Sequence, residues 1–379
     1  MIKKQETNYF ILSSLKLPIY EKFMDISDHI GITGDLLYAL LKNKNRFYTK
    51  IEIPRKNSKK MRIIYKPSFT LKIVQKFILN EILEKISTSK EAYAFKKDNR
   101  DLKEYFGIKY NAKAHIKNEY IYEFDIKDFF PSIKKKMIFY LFRNLGYNMK
   151  ISNILSELCT LNGILPQGSV TAPYLSNLVC SELDRRLKEK CDSKGITYTR
   201  YADDLSFSSN DLEELKRIKS TVIEELKRLD LVLNEKKTRL MVLGDRRIVT
   251  GILIEKRNLY VKKELKRKVR SMNHQMIQNG DYSKLNQVKG YVSYISSIES
   301  NYIENTLEYI KKLIKKLEDI ERNTEHELRF LNFREYDIDY KKELSEDLAN
   351  NLNSLKRKRE KYKNNIENYV KELEKRVEA

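Results

Sequence analysis

Two adjacent aspartates, Asp203 and Asp204, sit inside ITYTRYADDLSFSS (196–209), a segment whose Tyr, Thr, Leu and Phe otherwise read as β-structure. A third, Asp125, closes the apolar run YIYEFDI (120–126). Carboxylates within a few ångströms of one another repel unless cations hold them. Two Mg²⁺ ions about 3.5–4 Å apart would neutralise such a cluster, activate a hydroxyl and stabilise a departing pyrophosphate. That is the chemistry of nucleotidyl transfer. A single aspartate would be no more than a turn residue or a solvated strand end. A pair in a β-forming segment, with an acid-bearing strand upstream, is read as a catalytic metal site of Asp125, Asp203 and Asp204.

The other parts of such a site are also present. Phe130 lies where a bulky ring can pack under a sugar and exclude a 2′-OH, or serve as a core aromatic. Leu165-Pro166-Gln167-Gly168 is a turn entering a helix. Gln167 can hydrogen-bond a nucleotide there, and Gly168 permits close backbone approach. Lys60 and Arg62, in KKMRIIYKP, can reach a triphosphate or be solvated. Lys237, in LNEKKT, either approaches the same phosphates or lies on the surface. Asp128 is expected to cap the helix that starts near Pro131-Ser132.

These residues need strands and helices to hold them. Residues 6–45 read as helical, broken at Pro18 and at the Gly31–Gly34 turn, and 46–67 as a β-hairpin with a basic tip. Leu71, Val74, Ile78 and Ile82 give 69–87 a helical period. A strand is expected at 120–126, helices at 133–146 and 147–161, a turn and one long helix over 166–191, and a hairpin at 196–208. An amphipathic helix at 211–230 and short strands to 260 follow. A basic helix then ends at Asn279-Gly280, and a second helix comes after it. From 301 the chain is nearly free of Gly and Pro. Ile303, Leu307, Ile310, Ile314 and Leu317, then Leu348, Leu352, Leu355, Tyr362, Ile366, Tyr369 and Leu373, make heptad-like stripes, with Arg359 in one seam position. They predict a helical hairpin or coiled-coil arm, packed on its own domain or used for oligomerisation.

Composition bounds the partners. The 379 residues carry 75 Lys+Arg against 53 Asp+Glu, a net charge of +22. Hydrophobic residues at 41% imply a folded chain, and 25 Tyr and 15 Phe among the basic residues suit nucleic acid. No apolar run is long enough to span a bilayer, and the N-terminus lacks a signal-peptide core, so no membrane partner and a cytoplasmic location are expected. Cys159, Cys180 and Cys191 suggest neither a disulfide framework nor zinc.

FDIKDFF, LPQG, YADD and LNEKKT, in that order, resemble the palm and fingers of reverse transcriptases. The resemblance implies metal-binding roles for Asp125, Asp203 and Asp204, a sugar gate at Phe130, and nucleotide contacts at Arg62 and Gln167. Asn111-Ala112-Lys113-Ala114-His115 matches the NAxxH element of bacterial retron enzymes, and Val249-Thr250-Gly251 matches their VTG element. YAF at 93–95 and GYVSYI at 290–295 look alike too.

The resemblance covers roughly residues 10–300. It implies an α+β right-hand polymerase with fingers, a palm with an antiparallel sheet, and a helical thumb; here a C-terminal helical or coiled-coil extension is added. The expected division is 1–255 fingers and palm, 256–300 thumb and 301–379 arm. The implied activity copies part of a cognate structured noncoding RNA into DNA with two Mg²⁺ ions and deoxynucleoside triphosphates. A guanosine 2′-OH primes the reaction, giving branched, RNA-linked multicopy single-stranded DNA, in antiphage defence with a separate effector protein. Asn111, His115, Val249, Thr250, Gly251, Lys262, Lys263, Lys266, Arg267 and Arg270 are the expected RNA contacts, His115 with a local structural role as the alternative. Homo-oligomerisation through the arm is a further expectation. The rival readings are a defence or group II intron-like reverse transcriptase with another primer, and a catalytically inactive RNA-binding scaffold.

Overall fold

Strands of alternating β-branched and aromatic residues build the sheet that carries the acids. A computed structural model describes residues 6–54, 61–331 and 338–378 and divides into two compact units, Met1–Thr250 and Gly251–Ala379. The first opens with three short helices, α1 (Tyr9–Ser14), α2 (Phe23–Ile30) and α3 (Gly34–Lys42). Gly31 ends α2 in the left-handed region (φ 77°), and the Thr33 hydroxyl caps α3.

An antiparallel ribbon follows, β1 (Tyr48–Pro54) with β2 (Met61–Pro67), in register from Tyr48↔Pro67 to Pro54↔Met61. Its expected Lys/Arg tip, with Lys60, lies outside the described residues. Most of the ribbon is exposed, so its base must fasten it. There α4 (Phe69–Glu81) buries Leu71, Val74 and Ile78. Gln75 on α4 is fully buried: it donates to the Tyr48 hydroxyl (2.7 Å) and the Leu158 carbonyl (3.0 Å), and accepts from Val170 N (3.2 Å). One amide thus ties the ribbon to the loop that carries Gln167.

Next come α5 (Ile108–Ala114), β3 (Tyr120–Asp125), α6 (Phe129–Ser132), α7 (Lys135–Asn144) and α8 (Met149–Cys159). The single helix expected over 166–191 is two, α9 (Ala172–Val179) and α10 (Ser181–Asp192), meeting at Cys180. The Ser181 hydroxyl donates to the Asn177 carbonyl there (3.0 Å), a local bond of the kind that bends helices. The hairpin β4 (Thr197–Tyr201) and β5 (Asp204–Ser209), then α11 (Leu212–Lys227), β6 (Arg239–Met241) and β7 (Arg247–Val249), complete the unit. The sheet order is β4-β5-β3-β6, antiparallel throughout. Leu215, Ile218, Val222 and Leu226 of α11 are buried, and in the same core Phe207 stacks on Tyr198 and meets Phe124 edge-on. The architecture is α+β, as the sequence implied.

The second unit begins with a hairpin, β8 (Ile252–Glu255) and β9 (Asn258–Tyr260). Helices α12 (Lys263–Asn279), α13 (Leu285–Ile298), α14 (Tyr302–Phe330), α15 (Ile338–Asn365) and α16 (Glu367–Glu378) follow. Gly280, in the left-handed region, ends α12 where Asn279-Gly280 predicted a stop. Ile303, Leu307 and Ile310 of the predicted stripe are buried, but Leu313 is buried where Ile314 was expected. Thr306 is buried beside them and Ile314 is half-buried, so the buried face is broader than a two-per-heptad seam, as on a helix packed against several neighbours. Helix α14 packs on α12 and α13 as well as on α15 and α16, so the stripe is filled from within the chain. Arg359, in its seam position, pairs with the buried Glu321 at 3.4 Å. Among the described residues no helix is long and apolar enough to cross a membrane.

Ile310 is 0% exposed. Ile310→Ala should therefore cost about 2–4 kcal/mol, read as an earlier unfolding transition by calorimetry. Because the stripe faces its own chain, sedimentation should show the stoichiometry unchanged.

Candidate active site

Strand register brings the acids together. On β3 and β5 Asp125 is the direct cross-strand partner of Asp204, and Tyr201 pairs with Asp204 to close a two-residue turn of Ala202 and Asp203. The Ile126 N–H donates to the Asp203 carbonyl at 2.9 Å, extending the ladder into the turn. Ala202 has a φ of +57°, the left-handed region that glycine usually supplies at this hairpin position. The surrounding structure must hold so unfavourable a turn in place.

Arg200 is the group that holds it. Its guanidinium is fully buried and forked onto Asp184, with Nε to Oδ1 at 2.8 Å and Nη2 to Oδ2 at 2.7 Å. Nη1 donates to Asn177 Oδ1 (3.1 Å) and to the Ala202 carbonyl (3.2 Å). The Tyr198 hydroxyl also donates to Asp184 Oδ1 (2.8 Å). Sequence reading missed this network. Asp184 and Arg200 look like ordinary charges on a helix and a strand, and only the packing shows that they meet away from water.

The electrostatics fit an acid cluster short of positive charge. Burial, and after it the charge of Asp125, raises the Asp203 carboxyl above its usual range. Burial, then Asp203 and Asp125, pushes Asp204 up to about 7. Asp125 has local partners: Lys237 Nζ donates to Oδ2 at 2.5 Å, and Asn234 Nδ2 to Oδ1 at 2.8 Å. Lys237 therefore touches an acid while its side chain stays largely exposed. Among the described residues no three acids, histidines or cysteines already converge on one cation position. The hard oxygen donors and uncompensated charge of Asp203 and Asp204 nonetheless suit a divalent cation, and Lys237 is the group it would compete with at Asp125.

A cleft of about 970 Å³ is lined by Asp125 and Asp203, with Asp204 outside the lining, and Arg62, Phe130, Gln167 and Lys237 all line it too. Phe95 lines it too, its ring 6.3 Å from that of Phe130. From the sequence alone Phe95 has no role beyond its place in the YAF resemblance. Gly168 does something other than expected. At φ +110° a Cβ there would lie 2.6 Å from Ile64 Cγ2 and 2.8 Å from the Tyr65 carbonyl oxygen, so the close approach is by β2. Tyr65 N donates to the Gln167 carbonyl (2.8 Å) at the same junction. Asp128 occupies the position before α6 in a left-handed conformation, but its side chain makes no capping bond, a correction to the expected cap.

The expected RNA contacts need larger correction. Asn111, His115 and Val249 are each 0% exposed and offer no surface to a partner. His115 links two strands through Thr199 Oγ1 (2.7 Å) and Ser208 Oγ (2.6 Å). Burial drives its pKa down to about 3, so the ring is neutral and its role is structural. Thr250 Oγ1 donates to the Ile108 carbonyl at 3.2 Å, which brings the two short motifs together as an internal brace. Gly251 is exposed in a left-handed turn. On the basic helix Lys263, Arg267 and Arg270 are exposed, as is Lys262 just before it. Arg270 lies 4.4 Å over the Tyr309 ring, and Lys266 is committed to Glu299 at 2.9 Å.

The reverse transcriptase (RNA-dependent DNA polymerase) family model matches residues 53–332. The Retron Ec86 reverse transcriptase of Escherichia coli is 34% identical over 310 residues, covering 82% of this chain and 94% of that protein. The Retron Mx65 reverse transcriptase of Myxococcus xanthus is 28% identical over 316 residues, covering 77% and 72%. The Retron Ec73 reverse transcriptase of Escherichia coli is 30% identical over 266 residues, covering 64% and 80%.

Removing Arg200 would strand a buried carboxylate. Arg200→Met should cost about 3–5 kcal/mol by urea unfolding, and adding Asp184→Leu should recover part of that loss. The acid pair also sets a pH dependence. Asp204 titrates near 3.8 when unfolded and near 7 when folded, so the folded metal-free protein binds the extra proton between those values. Stability from this group is present below pH 4 and lost as pH rises through 7. In EDTA, Asp204→Asn should gain stability relative to the parent between pH 5 and pH 8, and equal slopes would contradict the assignment.

Proposed function

The chain belongs to the reverse transcriptase family, of the bacterial retron type, and from that premise we propose that it copies part of a cognate structured noncoding RNA into DNA, primed by a guanosine 2′-OH. The product would be branched, RNA-linked multicopy single-stranded DNA. The observation that carries the reading is the cross-strand pairing of Asp125 with Asp204, with Asp125 and Asp203 lining one cleft together with Arg62, Phe130, Gln167 and Lys237.

Each side chain has a role in that reaction. Asp125, Asp203 and Asp204 would hold two Mg²⁺ ions, which when bound lower the pKa of the attacking hydroxyl and stabilise the leaving pyrophosphate. Arg62 offers a planar guanidinium to the triphosphate. Lys237 adds a second positive charge once it leaves Asp125. The Phe130 ring closes the space a ribonucleotide 2′-OH would fill, and Phe95 backs it. Gln167, fastened by Gln75, Tyr65 and Gly168, offers its amide to the incoming nucleotide. Exposed Lys262, Lys263, Arg267 and Arg270 supply phosphate contacts for an RNA stem.

Defence against phage with a separate effector protein belongs to the same reading. Homo-oligomerisation through the arm would have to use what the fold leaves half-buried, Ile314, Leu317 and Leu348, because Ile303, Leu307, Ile310, Leu352, Leu355 and Leu373 of the stripes are buried within the chain. The rival reading of an inactive scaffold fails to account for three acids kept together at an electrostatic cost.

Asp203→Asn with Asp204→Asn tests the assignment. Expressed with its flanking genomic DNA, the variant should make at least about 100-fold less RNA-linked DNA while RNA still copurifies. Undiminished DNA would reject catalysis by this cluster.

A further inference from the structure

A second cleft lies in the first unit, apart from the acids. It encloses about 420 Å³ and is lined by Tyr93, Tyr105, Phe106 and Tyr110, with Lys103 and Lys113 among the charged groups at its edge. The Tyr105 and Tyr110 rings are stacked, 5.1 Å apart and within 18° of parallel. Tyr105 is nonetheless 40% exposed, so the stack ends in solvent. Phe106 meets Tyr93 edge-on at 6.0 Å and carries Lys96 Nζ 3.7 Å above its face.

This wall is built rather than loose. Phe106 N donates to Asp98 Oδ1 (2.8 Å), Asn99 and Glu104 pair through their backbones, and Gly107 N donates to the Tyr93 carbonyl (2.8 Å). Tyr93 N in turn donates to the Arg200 carbonyl (2.8 Å), which fastens the cleft to the strand leading into the catalytic turn. Lys90, Lys103 and Lys113 are exposed at the rim. The single carboxylate in the lining, Glu104, is matched with Lys90 at 3.4 Å. Lys103 and Lys113 pair with no carboxylate among the described residues.

A ring stack with Tyr105 facing solvent, beside ammonium groups held by no carboxylate among the described residues (Lys113 lies 5.9 Å over the Tyr110 ring), supplies the two components that bind unpaired bases and their phosphates. We propose that this cleft is a second nucleic-acid site that takes an unpaired nucleotide of a single strand. The base extends the Tyr105–Tyr110 stack, and Lys103 and Lys113 contact the flanking phosphates. The strand is either the RNA template or the DNA made from it. Tyr93 lines this cleft and Phe95 the catalytic one, so the short segment between them joins the two sites.

Photocrosslinking of the full-length protein tests this. One arm uses an oligouridylate carrying 4-thiouridine, the other an oligothymidylate carrying 4-thiothymidine, and mass spectrometry maps the adducts. A crosslink within residues 90–114 is expected from at least one strand, and the stronger arm identifies RNA or DNA as the occupant. Tyr105→Ala with Tyr110→Ala should lower that crosslink by about 5- to 100-fold, whereas Tyr105→Phe with Tyr110→Phe should retain it. Lys103→Ala with Lys113→Ala should weaken it more at low salt than at high salt. Primer extension by the same variants on an exogenous template reports separately on the polymerase reading and on folding. No adduct in 90–114 from either strand, or an equal yield from the alanine variant, would overturn the proposal and leave the cleft to a protein partner.

Discussion

The structure depends on one constraint: a β ladder holds negative charges closer together than they would choose. Asp125 faces Asp204 because β3 and β5 pair in that register, and Asp203 follows because the turn between β4 and β5 has only two residues. A register slip of one residue would turn these side chains to the other face. The ladder resists it because Phe124 and Phe207 are locked into a packed core on the same strands. Hydrophobic burial thus supplies the free energy that confines the acids, and the raised Asp203 and Asp204 carboxyls are its electrostatic consequence.

Around that cluster, buried polar groups do positioning work that could be mistaken for partner recognition. Arg200 and Asp184 meet with no water between them and hold the carbonyl of a left-handed Ala202. His115 is neutral and stitches β4 to β5, and Thr250 reaches the helix that carries Asn111. In a low-dielectric interior such bonds are costly to leave unmade, so they fix a unique arrangement more than they add net stability. The same logic applies at Gly168, where the absence of a side chain lets β2 seat against the loop that presents Gln167.

The second unit shows how a periodic pattern can serve its own chain. The α14 stripe that reads as a coiled-coil seam lies against neighbouring helices, and the charged residue in the seam of α15 finds a buried glutamate. Basic residues are left on the exposed side of α12, while Lys266 is taken by Glu299. Net charge therefore overstates the surface available to a polyanion.

The sequence by itself determined most of the elements and singled out Asp125, Asp203 and Asp204. Apolar periods of two and of about 3.6 residues are local, and YADD, FDIKDFF and LPQG are contiguous, so each could be read without knowing what packs beside it. Only the tertiary structure decided how distant residues meet. Lys237 and Asn234 turn to Asp125, Asp184 takes Arg200, Phe95 backs Phe130, and Asn111, His115 and Val249 are interior. Burial and pairing of side chains far apart in the chain arise from the whole packing, and no local spacing encodes them.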